Sequence, residues 1–205
     1  MDNGELINDA TKLFREHNSK EYIWWGLDEK WESIVENNFS VKTNDFPRYE
    51  WKFNRSIFTK LPEIEAYYKI EKINENNVEK MVVQNHNPIT NFWDSIEMFL
   101  EKGFGFFLSL ENVIASLIFS AGVYKNEVEI DIVTNENYRN KGLGKVLSKR
   151  FINECLSRNL LPKWDCYKFN ESSICLAKRL GFEIIKEYPV KQIIFEKSDK
   201  CKILF

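Results

Sequence analysis

The run Arg139-Asn140-Lys141-Gly142-Leu143-Gly144 stands directly between two patterns of different period. Before it, Glu127 to Thr134 alternates polar and apolar residues, as a strand does. After it, Leu143, Leu147, Phe151 and Cys155 form one stripe at helical spacing. A strand that turns through two glycines into an amphipathic helix implies a sheet with a helix packed back on it. The turn also carries chemistry. At a helix start several backbone N–H groups lack partners and the helix dipole adds partial positive charge, so an anion seated there gains hydrogen bonds and electrostatic stabilisation together. Gly142 and Gly144 permit a close approach, Lys141 and Lys145 add mobile charge, and Arg139 can either stitch the loop or meet the anion. The run is not a P-loop, which needs GxxxxGK[ST], and the third glycine of a dinucleotide fingerprint would fall at Leu147. An ordinary glycine-containing loop with solvated basic residues has the same local sequence.

Along the chain, residues 1–60 read as an extension. It opens on an amphipathic helix bearing Leu6, Ile7, Ala10, Leu13 and Phe14 and continues through an aromatic strand at Tyr22, Trp24 and Trp25. Tyr49, Trp51 and Phe53 then alternate with Glu50, Lys52 and Asn54 as a second strand. Leu61-Pro62 marks a boundary. A core over 61–196 begins with a strand from Ala66 to Ile73 and helices from Glu75 to Asn85 and from Ser95 to Lys102, the latter stopped by Gly103. Strands follow at Phe104 to Leu110, Val113 to Ala121 and Glu127 to Thr134. Next come a helix from Leu143 to Arg158, a strand from Lys163 to Cys166 and a helix from Asn170 to Leu180. Phe182 to Tyr188 and Val190 to Glu196, divided by Pro189, read as a terminal antiparallel pair, with 197–205 as a tail.

Composition excludes several classes. With 43% apolar and 15% aromatic residues among 205, the chain has enough to bury a core. Its 29 basic and 31 acidic side chains leave a formal charge of -2, which argues against the broad basic surface of a nucleic-acid binder. Arg48, Lys52 and Arg55 interleave aromatics, but a sheet face packed on the core suits that charge better than a base-stacking surface. The polar, acidic start lacks a signal-peptide run, and the apolar stretch from Gly103 to Tyr124 is broken by Glu111-Asn112, so it reads as two strands and a turn and no membrane span is expected. Cys155, Cys166, Cys175 and Cys201, with His17 and His86, show neither zinc spacing nor a disulfide framework. Reduced thiols in a cytoplasmic protein without a metal are the expectation.

Arg139, Gly142 and Gly144 match the pattern [RQ]xxGx[GA], and here the chain resembles the GNAT acetyltransferases, whose acyl-coenzyme A signature follows the fourth core strand and opens the third helix. The order of strands and helices over 61–196 is similar to that family's. Glu129-Ile130 to Thr134, YRNKGLG, Pro162 to Cys166, Asn170, Ser173, Leu176-Ala177 and Leu180-Gly181-Phe182 further resemble a bacterial branch that includes zwittermicin A resistance proteins. The resemblance implies an α/β (α+β) GNAT fold: a mixed, mostly antiparallel central sheet, splayed between its fourth and fifth strands, with helices on both faces. It also implies acetyl-coenzyme A (acetyl-CoA) as acyl donor and no metal. The pantetheine arm would pair with the backbone of Ile132, Val133 and Thr134. The diphosphate would lie on the run Arg139, Asn140, Lys141, Gly142, Leu143, Gly144 and Lys145. Asn170 and Ser173 would reach the pantetheine or thioester, although Asn170 is also a good helix N-cap.

The implied reaction is direct attack of an amine on the thioester. An amine of lysine-like pKa, about 10.4, must lose a proton first. Glu127, Glu129 and Asp131 share one strand face, and the resemblance to the branch, whose pattern Glu129 matches, implies Glu129, with Asp131 beside it, as the catalytic base; a solvated or substrate-binding carboxylate row is the alternative. Many members carry a tyrosine in the late helix to protonate the departing thiolate, and Ala177 occupies that place; Tyr167, Ser173 and Cys175 are the available substitutes, with core packing the other reading of Cys175. Trp24, Trp25, Trp31, Tyr49 and Trp51 either wall a pocket for a cationic amine or fill the core. The branch resemblance implies a primary amine of a small molecule, such as an aminopolyol, as the acceptor, on a monomer or homodimer. A degenerate module that binds acyl-CoA without turnover is the second reading, and a partner-binding role for the aromatic N-terminal segment the third.

Overall fold

The computed structural model describes residues 21–25, 33, 37, 41–59, 69–80, 88–110 and 113–195. The helix expected over Leu6 to Phe14, Trp31, the boundary at Leu61-Pro62, Cys201 and the tail lie outside them. The strands are β1 (Glu21–Trp25), β2 (Val41–Asp45), β3 (Arg48–Phe53), β4 (Ile70–Lys72), β5 (Gly105–Leu110), β6 (Val113–Tyr124), β7 (Glu127–Thr134), β8 (Leu161–Tyr167), β9 (Phe182–Tyr188) and β10 (Val190–Phe195). The helices are α1 (Arg55–Phe58), α2 (Ile96–Lys102), α3 (Leu143–Ser157) and α4 (Glu171–Arg179). The chain gathers into two compact units, one of residues 50–166 and 170–185, the other of residues 1–49, 167–169 and 186–205.

The larger unit is built on a seven-stranded sheet in the order β4-β5-β6-β7-β8-β3-β9. Pairing from β4 through β7 is antiparallel and β7 with β8 is parallel. β3, which falls within residues 1–60, is therefore an internal strand of this sheet, and its Trp51 and Phe53 are buried. That places these two aromatics in the core rather than on a stacking surface or a pocket wall.

Helices cover both faces. On one, α2 sets Phe99 against Phe119 of β6, beside Ile73, Val78, Ile89, Phe107 and Leu117. On the other, α3 stacks Phe151 on Phe104 with centroids 4.7 Å apart, a pairing worth about 1 kcal/mol beyond the area it buries. α2 does end at Gly103, but not through a left-handed cap, because its φ and ψ are -100 and -171. Glycine is needed for a different reason: a Cβ there would lie 2.7 Å from Phe99 Cδ2 and 2.8 Å from Ser120 Oγ.

The smaller unit holds a three-stranded antiparallel sheet, β1-β10-β2, in which Tyr22 stands opposite Ile193 and Asp45 opposite Lys191. The terminal antiparallel pair expected from the sequence does not form. β9 joins the seven-stranded sheet beside β3, and β10 runs between β1 and β2. Alternation identifies strands but not their partners, and Pro189, which has no amide hydrogen to give a ladder, separates the two.

Candidate active site

The geometry starts from a pairing that stops early. β7 and β8 pair only at Glu127↔Leu161, Val128↔Pro162 and Glu129↔Lys163, yet β7 continues to Thr134 and β8 to Tyr167. On its other edge β7 stays paired with β6 up to Thr134. The two parallel strands therefore part, and backbone direction decides which groups face the gap. The Asn135 amide donates to the Ala115 carbonyl at 3.0 Å, and the Leu161 amide donates to the Asn126 carbonyl at 2.6 Å. Odd positions of β7 thus point their backbone groups at β6 and even positions point theirs at β8. The main-chain groups of Ile130, Ile132 and Thr134 face the gap. Val133 does not; its carbonyl accepts from Ser116 Oγ at 3.2 Å.

At one mouth of this gap α3 begins. Gly142 is its N-cap with φ 76 and ψ 4, and no side chain caps the helix. By contrast Asn54, Ser95 and Asn170 each accept a backbone N–H at the starts of α1, α2 and α4. The first helical bond of α3 runs from the Val146 amide to the Gly142 carbonyl, which leaves the amides of Leu143, Gly144 and Lys145 without intrahelical acceptors. Open space lies around the missing Cβ of Gly142, with no atom within 4 Å. Gly144 faces inward, its missing Cβ lying 3.6 Å from Ile132 Cδ1, Thr134 Oγ1 and Leu176 Cδ2.

The loop residues divide between two tasks. Arg139 stitches the turn: its Nε donates to the Thr134 carbonyl at 3.2 Å and its Nη1 lies 3.7 Å from Glu136 Oε1. Asn140 takes a left-handed φ of 62, which asparagine tolerates better than most residues. Lys141 is exposed, with Nζ 5.0 Å from the Tyr138 ring centre, and Lys145 is half-buried. These lysines stand beside the uncapped amides without closing them off.

From the β8 side the gap is flanked by α4. Asn170 Oδ1 accepts from the Ser173 amide at 3.1 Å, so the capping role read in the sequence is realised. Ser173 Oγ accepts from Trp164 Nε1 at 3.0 Å. Both residues thus sit at the start of α4, but their side chains are engaged with the protein.

The opposite face of β7 carries charge. Val128 and Ile130 are buried on the α3 side, whereas Glu127, Glu129 and Asp131 are half-buried on the other. Lys163 of β8 stands opposite Glu129 and lies 3.2 Å from Glu50 Oε1 and 4.0 Å from Glu127 Oε1. Asp165, two residues on, shares that face by alternation. Asp131 stands opposite Phe119, which touches the half-exposed ring of Phe92.

A splayed parallel pair with an uncapped helix start at its mouth suits an extended ligand ending in an anion, and the GNAT acetyltransferase family model matches residues 2–191. The chain belongs to the GNAT acetyltransferase family. It is 30% identical over 172 residues to the uncharacterized N-acetyltransferase YdfB of Bacillus subtilis (strain 168), a match covering 84% of this chain and 66% of that protein. Among solved structures, a GCN5-related N-acetyltransferase-like protein from Streptococcus suis 89/1591 superposes with a TM-score of 0.68 at 27% identity, covering 83% of this chain and 70% of that one. A GCN5-related N-acetyltransferase from Kribbella flavida shares the fold, with a TM-score of 0.64 at 10% identity over 97% of this chain and 78% of its own.

Membership places the chain among acyltransferases, a family that generally uses acetyl-CoA, and its uncapped amides, the open space at Gly142 and the β7 edge that β8 leaves past Glu129 fit that donor. Against the GNAT pattern, Ala177 is fully buried in α4 and offers no hydroxyl. Burial pushes the Cys155 thiol up to about 12, which makes it inert, while Cys175 is exposed. No described helix is long and apolar enough to cross a membrane, and no group of metal-ligating side chains gathers among the described residues. A hollow of about 650 Å³ lies against α2 with Glu75, Glu79, Glu97 and Glu101 among its lining, and it shares no residue with the gap. Sequence reasoning missed Glu50 and Lys163. Each reads as an ordinary polar position of an alternating strand, and only the pairing of β7, β8 and β3 brings them to the carboxylate row.

Proposed function

We propose that the chain is an acetyl-CoA-dependent N-acetyltransferase whose acceptor is a primary amine on a small cationic molecule. The observation that carries this reading is the start of α3, left without a side-chain cap at the mouth of the gap between β7 and β8. When bound, acetyl-CoA supplies the thioester carbonyl that the amine attacks.

The chain's own residues supply the rest. The Leu143, Gly144 and Lys145 amides, with Lys141 and Lys145 beside them, hold the diphosphate. The backbone of Ile130, Ile132 and Thr134 orients the pantetheine arm and offers donors where negative charge develops on oxygen. Glu127, Glu129 and Asp131 receive the ammonium on the opposite face, and Glu129 takes up its proton so that the neutral amine is present for attack. Residues 61–196 carry this machinery, with β3 completing the sheet, in a cytoplasmic setting without a metal. Coenzyme A release, screened against polyamines, aminoglycosides, aminopolyols, amino acids and peptides, tests the proposal. The second reading, a module that binds acyl-CoA without turnover, is favoured by Ala177. Tight binding by calorimetry with no thiol release across that panel would establish it instead.

A further inference from the structure

The proposed reaction leaves a thiolate in the gap, and Ala177 supplies nothing to stabilise it. We propose that the Ser173 hydroxyl does so, donating a hydrogen bond to the departing sulfur while its oxygen is held by the indole N–H of Trp164. This rests on the reading that the thioester arm lies between β7 and β8.

The placement comes from two elements. Trp164 is the first residue of β8 beyond the last paired position, Lys163, so its side chain leaves the strand where the gap opens. Ser173 stands three residues before Leu176 and four before Ala177, which puts all three on one face of α4. That face looks toward the start of α3, because Leu176 Cδ2 lies 3.6 Å from the missing Cβ of Gly144. Cys175, two residues on from Ser173, is turned to solvent.

The hydrogen bonding fixes direction. Trp164 Nε1 can only donate, so at 3.0 Å it makes Ser173 Oγ the acceptor and leaves the serine's own proton for another partner. The Ser173 amide is already capped by Asn170, so the residue is anchored through both its backbone and its oxygen. Accepting one hydrogen bond also polarises the hydroxyl and strengthens the bond it donates.

The step balances without proton transfer from serine. The nitrogen–carbon bond forms, the carbon–sulfur bond breaks, and sulfur keeps the bonding pair. The amine's proton goes to Glu129 or to water, and Ser173 retains its own.

The test uses the full chain and coenzyme A itself, with desulfo-coenzyme A as control, by calorimetry between pH 7 and 10. A hydrogen bond to the thiolate lowers the pKa of the bound thiol from about 8.5, so affinity for coenzyme A relative to desulfo-coenzyme A should rise about tenfold with pH. Ser173→Ala should abolish the rise and Ser173→Thr should keep it. Because Ser173→Ala also strands the indole N–H of the buried Trp164, a second variant adds Trp164→Phe; it should recover thermal stability and still show no rise. A rise that persists in Ser173→Ala, or returns in the double variant, overturns the role of Ser173 and leaves the acetyltransferase reading standing. Failure of the wild-type chain to bind coenzyme A overturns both.

Discussion

Replacing Gly142 and Gly144 by alanine, one at a time, separates the two requirements that the turn into α3 places on its glycines. At Gly142 the backbone is left-handed, φ 76, a conformation that costs an L residue roughly 1–2 kcal/mol, and nothing lies within 4 Å to repack against the added methyl. For a domain of this size that corresponds to a fall in Tm of about 2–8 °C. At Gly144 the helix is regular and an added Cβ meets Ile132, Thr134 and Leu176 at 3.6 Å, an ordinary contact distance. There alanine should stabilise α3 by up to about 1 kcal/mol on helix propensity. Ligand binding should divide the same way. The Gly142 methyl projects into open space at the proposed diphosphate seat, so Gly142→Ala should weaken acetyl-CoA at least tenfold and Gly142→Val more, whereas Gly144→Ala should bind as wild type does. Calorimetry with acetyl-CoA and thermal unfolding of the apo chain read the two quantities separately. A Gly142→Val variant with wild-type affinity would refute the placement of the anion at this helix start, whatever its stability.

Glu129→Gln should lower turnover at neutral pH with acetyl-CoA affinity intact, and the deficit should shrink as pH approaches the amine's own pKa, where the free base no longer needs a partner; steady-state rates from pH 6.5 to 10 give the comparison, and equal rates at pH 7 would dismiss Glu129 as the base. Asn170→Ala should cost about 1 kcal/mol through loss of the α4 cap, while Asn170→Asp keeps the cap and the melting temperature. Glu154 on α3 meets Arg158 at 2.7 Å and Lys72 and Arg150 at 3.5 Å. Burial works to raise its carboxyl, but the Arg158 hydrogen bond and the three positive charges carry it below its ordinary value of 4.5. A lowered carboxylate stabilises the fold above that ordinary value and loses its contribution as pH falls through the lowered one. Glu154→Gln should therefore cost about 1 kcal/mol at pH 7, with the gap closing only well below pH 4.5 in chemical denaturation; a gap that closes between pH 7 and 5 would contradict the ion network.

The elements that a single stretch of sequence determines were legible, and those that pairing determines were not. The Arg139 to Gly144 turn announced itself because glycine spacing, a period-two strand and a period-3.6 helix meet there. The sequence places the strand after α3 at Lys163 to Cys166, whereas β8 starts at Leu161: the amide that Pro162 lacks would not have faced β7, and that of Leu161 does and bonds the Asn126 carbonyl. The separation of β9 from β10 was hidden, because alternation and a dividing proline suit a hairpin as well as two strands of different sheets. Val133 was grouped with its neighbours for pantetheine pairing, and only the register with β6 shows that its main chain faces the other way.

The early end of the β7–β8 ladder ties these features together. Up to Glu129 and Lys163 the strands are bound to each other; past them, the side chains of Ile132 and Thr134 meet α3 at Gly144, which Leu176 of α4 also reaches. One divergence thus leaves an in-plane edge of β7 that β8 does not pair, with the Thr134 carbonyl held by Arg139, and brings the start of α3 to its mouth. The face of the sheet away from α3 holds Glu50, Glu127, Glu129, Asp131 and Asp165, and Lys163 stands among them, 3.2 Å from Glu50 and 4.0 Å from Glu127. On the proposed reading, an anionic donor enters along the edge and a cationic acceptor approaches the carboxylates. The field of a carboxylate row that holds the acceptor as an ammonium also favours its protonated form, so the proposed mechanism needs a proton acceptor there. Lys163→Met would deepen the field and should tighten binding of a dicationic acceptor more than that of a monocation. An equal effect on both, read as the ratio of their KM values, would place the acceptor away from this row.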